Sequence, residues 1–230
     1  MAGWLFGGLL GGGEQDCSTA DARSDRTMAE IQQQWPLRPS LDPVMVVVQE
    51  VGRHLGRDTD PQGGRQWQFA VLRNLEPIAY SIGGGRFIVS DGLVAMVRDE
   101  SQLAAVLAHE IAHQQLNHFC RRTRQDAERI DLGGVIQNFD LEAEIEADTR
   151  AVGILTASGF DPHAMESVLR CLMQSTGGNA PDLAQRLDAL RDLAIPPLSS
   201  KRRDSADFRG ARTILREEFG DQTPAATRCR

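Results

Sequence analysis

The sequence predicts an α+β fold that is mainly helical and has one small, mostly antiparallel sheet. Two patterns support this prediction: apolar residues recur at helical spacing through most of the chain, and alternating apolar and polar residues are confined to residues 67–89. Hydrophobic residues make up 41% of the 230 residues, so the chain can build a core of its own. We expect a central domain over residues 41–195, a polar N-terminal segment with a helix (1–40) and a polar C-terminal tail (196–230).

The predicted elements have recognisable boundaries. Asp42 and Pro43 are the residue types of a helix N-cap and a first helical position, and Gly83 to Gly85 form a turn between two strands. The expected elements, in chain order, are helices at 21–34 and 43–57, strands at 67–72, 78–82 and 86–89, and helices at 92–97, 100–121, 141–157, 161–174, 181–193 and 205–219.

Charge and composition argue against several classes of protein. The net charge is −7, which makes nucleic acid an improbable main partner. No stretch approaches the roughly 20 apolar residues that span a bilayer, so we expect no transmembrane segment, although peripheral association with a membrane is compatible with the sequence. The glycine-rich start of the chain has no basic residue before Arg23 and resembles an export signal only weakly. The four cysteines show no C-x-x-C spacing and predict no thiolate zinc site.

The pattern with the clearest chemistry is the segment from His109 to His113, which reads His-Glu-Ile-Ala-His. Residues four apart lie on one face of a helix, about 6 Å apart along its axis, so the two imidazoles can bind one cation. Catalytic zinc favours three protein ligands and a water. Glu110, beside a ligand, is therefore the predicted catalytic base, because the metal lowers the pKa of water to about 7 and the glutamate removes its proton.

A surface helix that happens to carry two histidines is the alternative interpretation of this motif. The helix that starts near residue 100 is apolar nearly all round, which is typical of a buried helix. Buried imidazoles and a buried carboxylate need partners, and one metal ion satisfies all three. The sequence therefore favours a site for one zinc ion (Zn2+) per chain.

The third metal ligand is expected from the helix over residues 141–157. Its apolar stripe consists of four residues: Leu141, Ile145, Val152 and Leu155. Asp148 lies on that stripe and Glu144 lies one turn earlier, offset by about 40°, whereas Glu142 and Glu146 point toward solvent. Helical phase therefore selects Glu144 as the third metal ligand and Asp148 as a hydrogen-bonding partner of a ligand histidine.

His118 is expected to be a packing or hydrogen-bonding residue rather than a metal ligand. It follows His109 by nine positions, so on a helix that continues to residue 121 its side chain would point about 180° away from the metal.

These residues carry a resemblance to a known family. Over roughly residues 41–193, the chain resembles the zinc metallopeptidases that include the heat-shock protease HtpX and the type I CAAX prenyl protease (metallopeptidase family forty-eight). Four segments carry the resemblance: Phe87 to Leu93, Glu100 to His118, Glu144 to Asp148 (the family's E-x-x-x-D element), and Ser158 to Pro162. The family's membrane-spanning helices have no counterpart here, so the resemblance is to the soluble catalytic domain.

The resemblance implies a zincin fold of the gluzincin type, with Glu144 as third zinc ligand. It also implies that an extended substrate strand adds to a sheet edge, for which the Gly83–Gly85 turn and residues 87–89 are candidates. Ala180 and Arg186 align with an element that usually reads His-Pro, four residues, Arg. Because Ala180 replaces the histidine, the resemblance argues against self-inhibition by that histidine. Arg186 is an oxyanion stabiliser or structural anchor in one interpretation and a plain surface arginine in the other.

We therefore expect a zinc metalloendopeptidase that acts on protein or peptide substrates, and the resemblance points to protein quality control in the cell envelope. The first alternative is a chaperone-like or protein-binding role with weak or latent proteolysis, and the second is a zinc hydrolase that acts on other bonds. Degradation of casein with and without a chelator separates them. The compartment stays open, since the resemblance favours the periplasm or cell envelope while the cytoplasm also fits the sequence.

Overall fold

The computed structural model of the chain describes residues 18–59, 66–118, 140–175, 181–195 and 204–220. Its elements, in chain order, are α1 (Ser18–Gln34), α2 (Pro43–Thr59), β1 (Gln68–Leu72), β2 (Ala79–Gly83), β3 (Arg86–Ser90), α3 (Asp91–Met96), α4 (Glu100–Gln115), α5 (Leu141–Ala157), α6 (Ala164–Ser175), α7 (Pro181–Asp192) and α8 (Ala206–Phe219). The predicted elements agree with these to within a few residues, except that α4 ends at Gln115 instead of continuing to residue 121. The predictions for residues 1–17 and for Ala180 lie outside the described residues.

The sheet is mixed, so the expectation of a mostly antiparallel sheet is wrong. Its strand order is β1-β3-β2, with β1 parallel and β2 antiparallel to the central strand β3. The hairpin between β2 and β3 turns at Gly83 to Gly85, which all have positive φ angles that residues with a side chain rarely adopt. β1 and β2 are consecutive in the chain but do not pair with each other, because β3 lies between them. Residues 87–89 are therefore not an edge, since β3 pairs on both sides.

The outer side of β1 is covered by the segment that precedes α2. The Arg38 N–H donates to the Val71 carbonyl at 2.8 Å, the Arg73 N–H donates to the Pro36 carbonyl at 2.8 Å, and Leu37 forms a bridge with Leu72. Within the described part of the chain, β2 is thus the strand whose outer side is not paired with another strand.

α2 lies unusually close to β1 because two glycines face the strand. A Cβ atom on Gly52 would lie 2.2 Å from the Phe69 ring, and one on Gly56 would lie 2.2 Å from the Trp67 ring. The start of the helix is capped by Asp42, whose Oδ1 accepts the Val44 N–H at 2.9 Å. The apolar residues of α2 therefore pack into the same core as the sheet.

α4 runs through the centre of the molecule. Asp99 caps it by accepting the Gln102 N–H at 2.9 Å, and every residue from Glu100 to Gln114 is buried. α5, which is capped by Asp140, packs against α4, and so does α6. Among the helices that can be described, none is both long and apolar enough to cross a membrane.

The C-terminal helix α8 forms as predicted and belongs to the same core. Phe208, Ala211 and Leu215 are fully buried, and the helix packs against α2 and α3. Near its start, Glu100 accepts the Ser205 N–H at 2.6 Å while Asp204 accepts the Glu100 N–H at 2.9 Å. The tail is therefore joined to the N-terminal end of α4, the helix that carries the His-Glu-x-x-His motif.

Candidate metal and catalytic site

Two imidazoles on α4 converge on one point. His109 and His113 are separated by one helical turn, and their Nε2 atoms lie 3.0 Å apart. Both residues are buried. Two ring nitrogens that face each other at this distance cannot both carry a proton, so either one donates to the other or both bind one cation.

α5 brings a carboxylate to the same point. Glu144 Oε2 lies 3.4 Å from His109 Nε2, and Glu144 Oε1 lies 3.5 Å from His113 Nε2. One ligand atom from each of these three residues can be chosen so that all lie within 4.8 Å of one another, which is the spacing of a site that could hold a metal ion. The three residues selected from the sequence as ligands are thus brought together by two helices.

Asp148 lies one turn after Glu144 on α5 and is almost completely buried. Its Oδ1 is 2.9 Å from His109 Nδ1, a contact that has ion-pair distance but not hydrogen-bond geometry. Arg186, on α7, donates two hydrogen bonds to the Asp148 carboxylate, both at 2.7 Å, and its Nη1 lies 2.6 Å from Glu144 Oε2. Arg186 is therefore bound to the site by two carboxylates and is not a plain surface arginine.

Burial and neighbouring charges shift the pKa values of these groups. Burial raises the pKa of Glu110 to about 7, with His109 opposing the rise and the Glu144 charge adding to it. Burial lowers the pKa of His109, but the carboxylates of Asp148 and Glu144 outweigh this and raise it to about 9. Burial also disfavours ionised Asp148, yet His109 and Arg186 hold its pKa below the usual value. A cation that binds His109 must therefore displace a proton.

Three features of the site fit a divalent metal. The donor atoms are two imidazole nitrogens and a carboxylate, which is a ligand set of catalytic zinc sites. Glu110 Oε2 is buried and has no hydrogen-bond partner among the described residues, although such groups are nearly always paired. Finally, once a cation has displaced the proton of His109, the carboxylates of Glu110, Glu144 and Asp148 outnumber the guanidinium of Arg186 and leave negative charge for the cation to balance.

Comparisons with known proteins agree with this geometry. The model of peptidase family M48 matches residues 45–130, which include all of α4. The chain is 26% identical over 206 residues to the mitochondrial metalloendopeptidase OMA1 of Schizosaccharomyces pombe. It is 29% identical over 138 residues to the beta-barrel assembly-enhancing protease of Escherichia coli, and 28% identical over 127 residues to a putative protein of that name from Vibrio cholerae.

The chain is similar to peptidase family M48 over residues 45–130 and to the three relatives named above. This confirms the family resemblance inferred from the motif and the E-x-x-x-D element. The alignment covers 72% of this chain and 61% of the Schizosaccharomyces pombe protein. It covers 46% of this chain and 28% of the Escherichia coli protein, and 42% and 26% in the Vibrio cholerae comparison. The matched family model is that of a peptidase family, and the relatives are named as a metalloendopeptidase and as proteases.

Two residues near the His-Glu-x-x-His motif, His118 and Glu146, do not point where the sequence predicts. His118 does not point away from the site, because α4 ends at Gln115 and Asn117 takes a positive φ of 55° that reverses the chain. The His118 Nδ1 lies 2.8 Å from His113 Nδ1, and its Nε2 lies 3.0 Å from Glu146 Oε2. Glu146, expected to be solvated, therefore contacts a residue that touches a predicted ligand.

Gln114 is a further residue that sequence reasoning missed. Its Oε1 accepts the Gly85 N–H at 2.7 Å, and its Nε2 donates to the Ser81 hydroxyl at 2.5 Å and to the Arg86 carbonyl at 3.2 Å. It is buried, and it joins α4 to the β2–β3 hairpin. A polar residue on an otherwise apolar buried helix was the one pattern that could have indicated this role.

Proposed function

We propose that this chain is a zinc metalloendopeptidase with a zincin fold of the gluzincin type. The observation that carries the proposal is the placement of a buried, unpartnered carboxylate oxygen of Glu110 beside the converging side chains of His109, His113 and Glu144. The similarity to peptidase family M48 supports the same reaction. The chain spans only part of the length of the relatives described above, so the activity, substrate and partners of those proteins enter here as proposals.

The residues that would hold zinc are His109 and His113 through Nε2, and Glu144 through its carboxylate. Zinc, when bound, supplies Lewis acidity that lowers the pKa of water and polarises a carbonyl group. The excess of carboxylates at the site favours a cation, and the mixed nitrogen and oxygen donor set favours zinc over calcium or magnesium, which prefer oxygen donors alone.

Glu110 is the group that would move the proton. Its carboxylate is buried on the helix face next to the ligands, and its Oε2 is free among the described residues to accept the proton of the attacking water. The same oxygen would return that proton to the amine nitrogen of the leaving group, because protonation is needed to release an amine. Hydrolysis then balances, with the water adding OH to the carbonyl carbon and H to the nitrogen.

Arg186 acts in this proposal as a structural anchor. Its guanidinium contacts Asp148 through Nε and Nη2 and Glu144 through Nη1. The N–H groups of Arg186 are therefore directed at two carboxylates of the protein. This arrangement holds Glu144 and Asp148 in register on α5. It favours the anchor over the alternative of an oxyanion stabiliser, which would need donors directed at the substrate.

The substrate strand would add to the outer side of β2. β2 lies next to the proposed catalytic base, since the Ser81 backbone hydrogen-bonds to Glu110. Burial raises the pKa of Tyr80, and the Glu110 charge adds to that rise. Gln114 holds the hairpin against α4. Strand addition offers main-chain hydrogen bonds to peptides of varied sequence. A structure of the Glu110→Gln variant with a bound peptide tests this, and a peptide that lies along β1 would contradict it.

The decisive experiment compares zinc content and proteolysis in one variant. Glu110→Gln should retain about one zinc per chain, because this carboxylate is not a ligand, and should lose casein hydrolysis by about 10²–10⁴-fold, because an amide cannot accept the proton. Elemental analysis and a casein assay with and without chelator measure the two properties. Glu142→Gln, at an exposed position of α5, is the matched control and should behave like the wild type.

Two outcomes would contradict the proposal. Residual activity of Glu110→Gln within about tenfold of the wild type would identify another base. The chaperone-like alternative would be favoured by a second result. In that result the wild type binds zinc but hydrolyses no protein, and the wild type and Glu110→Gln suppress aggregation of an unfolded protein equally well.

We also propose a role in protein quality control of the cell envelope. The support comes from the relatives, which are named for mitochondrial metalloendopeptidase activity and for enhancing beta-barrel assembly. Cys171 on α6 is disulfide-bonded, and disulfides persist mainly in oxidising compartments. Fractionation of cells that express the full-length gene tests the location, and recovery in the cytosolic fraction would contradict it.

A further inference from the structure

His118 is a buried histidine outside the metal-binding motif that the reaction proposed above does not use. It follows the left-handed residue Asn117, and this reversal returns its imidazole to the side of α4 that faces α5. Its side chain is fully buried between the ring of His113 and the carboxylate of Glu146. The two imidazole rings are inclined at 69° with centroids 5.0 Å apart, which is an edge-to-face contact.

The contacts form a line from a carboxylate to a predicted metal ligand. Glu146 Oε2 lies 3.0 Å from His118 Nε2, and His118 Nδ1 lies 2.8 Å from His113 Nδ1. On the other side of its ring, His113 directs Nε2 at His109 and Glu144. Every nitrogen of these two imidazoles thus has a polar neighbour at contact distance.

Metal binding would leave one consistent arrangement of the protons. A histidine that binds a cation through Nε2 must carry its proton on Nδ1, so His113 Nδ1 donates. His118 Nδ1 must then accept, which places the His118 proton on Nε2. That N–H donates in turn to the Glu146 carboxylate. The only tautomer of His118 that avoids two opposed N–H groups is therefore the one that Glu146 stabilises.

We propose that His118 and Glu146 are positioning residues for His113, which fix its tautomer and its ring orientation so that Nε2 faces the cation. This inference rests on the proposed zinc site. It treats the two ligand histidines as a matched pair, since His109 Nδ1 has the carboxylate of Asp148 beside it and His113 Nδ1 reaches the carboxylate of Glu146 through an intervening imidazole. Both carboxylates come from α5, two residues apart.

A packing role for His118 makes the opposite prediction for two substitutions of similar size. His118→Asn keeps an acceptor near the position of Nδ1, whereas His118→Leu removes every acceptor but fills the buried space with apolar atoms. If His118 positions His113, the Asn variant should resemble the wild type more closely than the Leu variant in zinc affinity. If His118 only fills space, the Leu variant should bind zinc as the wild type does.

Chelator competition with zinc alone measures this without relying on activity. We expect His118→Leu to weaken zinc binding by about 10–100-fold, as is typical when the outer partner of a ligand histidine is removed, and His118→Asn to weaken it by less than about tenfold. Zinc affinity of His118→Leu equal to that of the wild type would overturn the proposal. Thermal denaturation of the metal-free variants checks that each is folded.

Glu146 keeps the proposal testable if the His118 variants do not fold, because its side chain is 40% exposed. Glu146→Ala should weaken zinc binding measurably, while Glu142→Ala, one turn earlier and exposed, should leave it unchanged. Equal zinc affinity of the two variants would contradict the role of Glu146. In the zinc-loaded wild type, long-range proton–nitrogen NMR should show the Nε2–H tautomer of His118, and an Nδ1–H tautomer would also overturn the proposal.

Failure of this inference can be told from failure of the zinc site itself. If His113→Ala retains full zinc affinity, the ligand assignment is wrong and the proposed function fails with it. If His113→Ala loses zinc while every His118 and Glu146 variant retains it, only the positioning role is wrong.

Discussion

Asp148 and Arg186 form a nearly buried ion pair behind the candidate metal site. The Arg186 side chain is 12% exposed and that of Asp148 is 1% exposed, and the guanidinium makes two hydrogen bonds to the carboxylate. A buried pair of this kind contributes little net stability compared with apolar residues, but removal of one partner leaves a buried charge without compensation. His109 and Arg186 together hold the pKa of the buried Asp148 carboxyl below its usual value.

This argument predicts the effect of removing the guanidinium. Arg186→Met should lower the free energy of unfolding of the metal-free protein by about 3–5 kcal/mol, because Asp148 loses both hydrogen bonds from the guanidinium and keeps only His109 as a cationic neighbour. Arg191→Met on the same helix should lower it by less than about 1 kcal/mol, since the Arg191 side chain is 53% exposed and its pair with Asp188 lies at the surface. Urea denaturation in the presence of a chelator measures both, and equal effects would show that Arg186 is not an anchor.

The close contact between α2 and β1 depends on two glycines of α2, which have no side chains to fill the space between helix and strand. Gly52 and Gly56 are one turn apart on α2, and the aromatic rings of Phe69 and Trp67 occupy the space that their side chains would fill. Phe69 in turn stacks on Phe87 of the central strand, with ring centroids 4.8 Å apart. The position of α2 over the sheet therefore depends on these glycines, although glycine disfavours a helix.

A pair of glycine substitutions separates the effect of close packing from the effect of helix propensity. Gly52→Ala should destabilise the protein by about 1–3 kcal/mol, because the new Cβ would overlap the Phe69 ring and force the helix or ring to move. Gly153→Ala on α5 should stabilise it by about 0.5–1 kcal/mol, because nothing lies within 4 Å of the new Cβ and alanine favours a helix. Thermal denaturation gives both changes, and a stabilising Gly52→Ala would contradict the described packing.

Arg38 connects three distant parts of the chain. Its fully buried guanidinium donates to both oxygens of Asp91 at the start of α3, at 2.5 and 3.0 Å, and to Glu218 near the end of α8 at 2.5 Å. It also donates to Asp42 at 2.9 Å. Burial raises the pKa of Asp91, while Arg38 opposes this rise. The segment before α2, the end of the sheet and the C-terminal helix are thus joined at one cation.

Two arginines that contact Glu218 differ in burial and test this connection. Arg38→Met should lower the free energy of unfolding by about 3–5 kcal/mol, because it leaves Asp91 buried without its partner. Arg73→Met should lower it by less than about 1 kcal/mol, since the Arg73 side chain is 43% exposed and lies 3.3 Å from Glu218. Chemical denaturation compares the variants. A small effect of Arg38→Met would show that the ion pairs of Arg38 contribute little to holding α8.

The sequence by itself determined those features that depend on neighbours within one or two helical turns. The bounds of most helices follow from apolar spacing and from caps such as Asp42, which act through local geometry. The convergence of His109 and His113 is likewise a property of residues four apart on one helix. The facing of Glu144 and Asp148 toward these histidines followed from helical phase along α5. The resemblance to the metallopeptidase family could be seen for the same reason, since the motifs that carry it are short.

Only the tertiary structure decided features that depend on contacts between distant segments. Strand order is one, because β1 pairs parallel to β3 without a local pattern that indicates it. His118 is another, since one residue of left-handed backbone at Asn117 ended the expected helical phase and brought its ring to His113. Glu146 and Arg186 look like surface residues on their own helices. Both residues lie at the site because α4, α5 and α7 pack together. That packing depends on the shape and burial of side chains over the whole core.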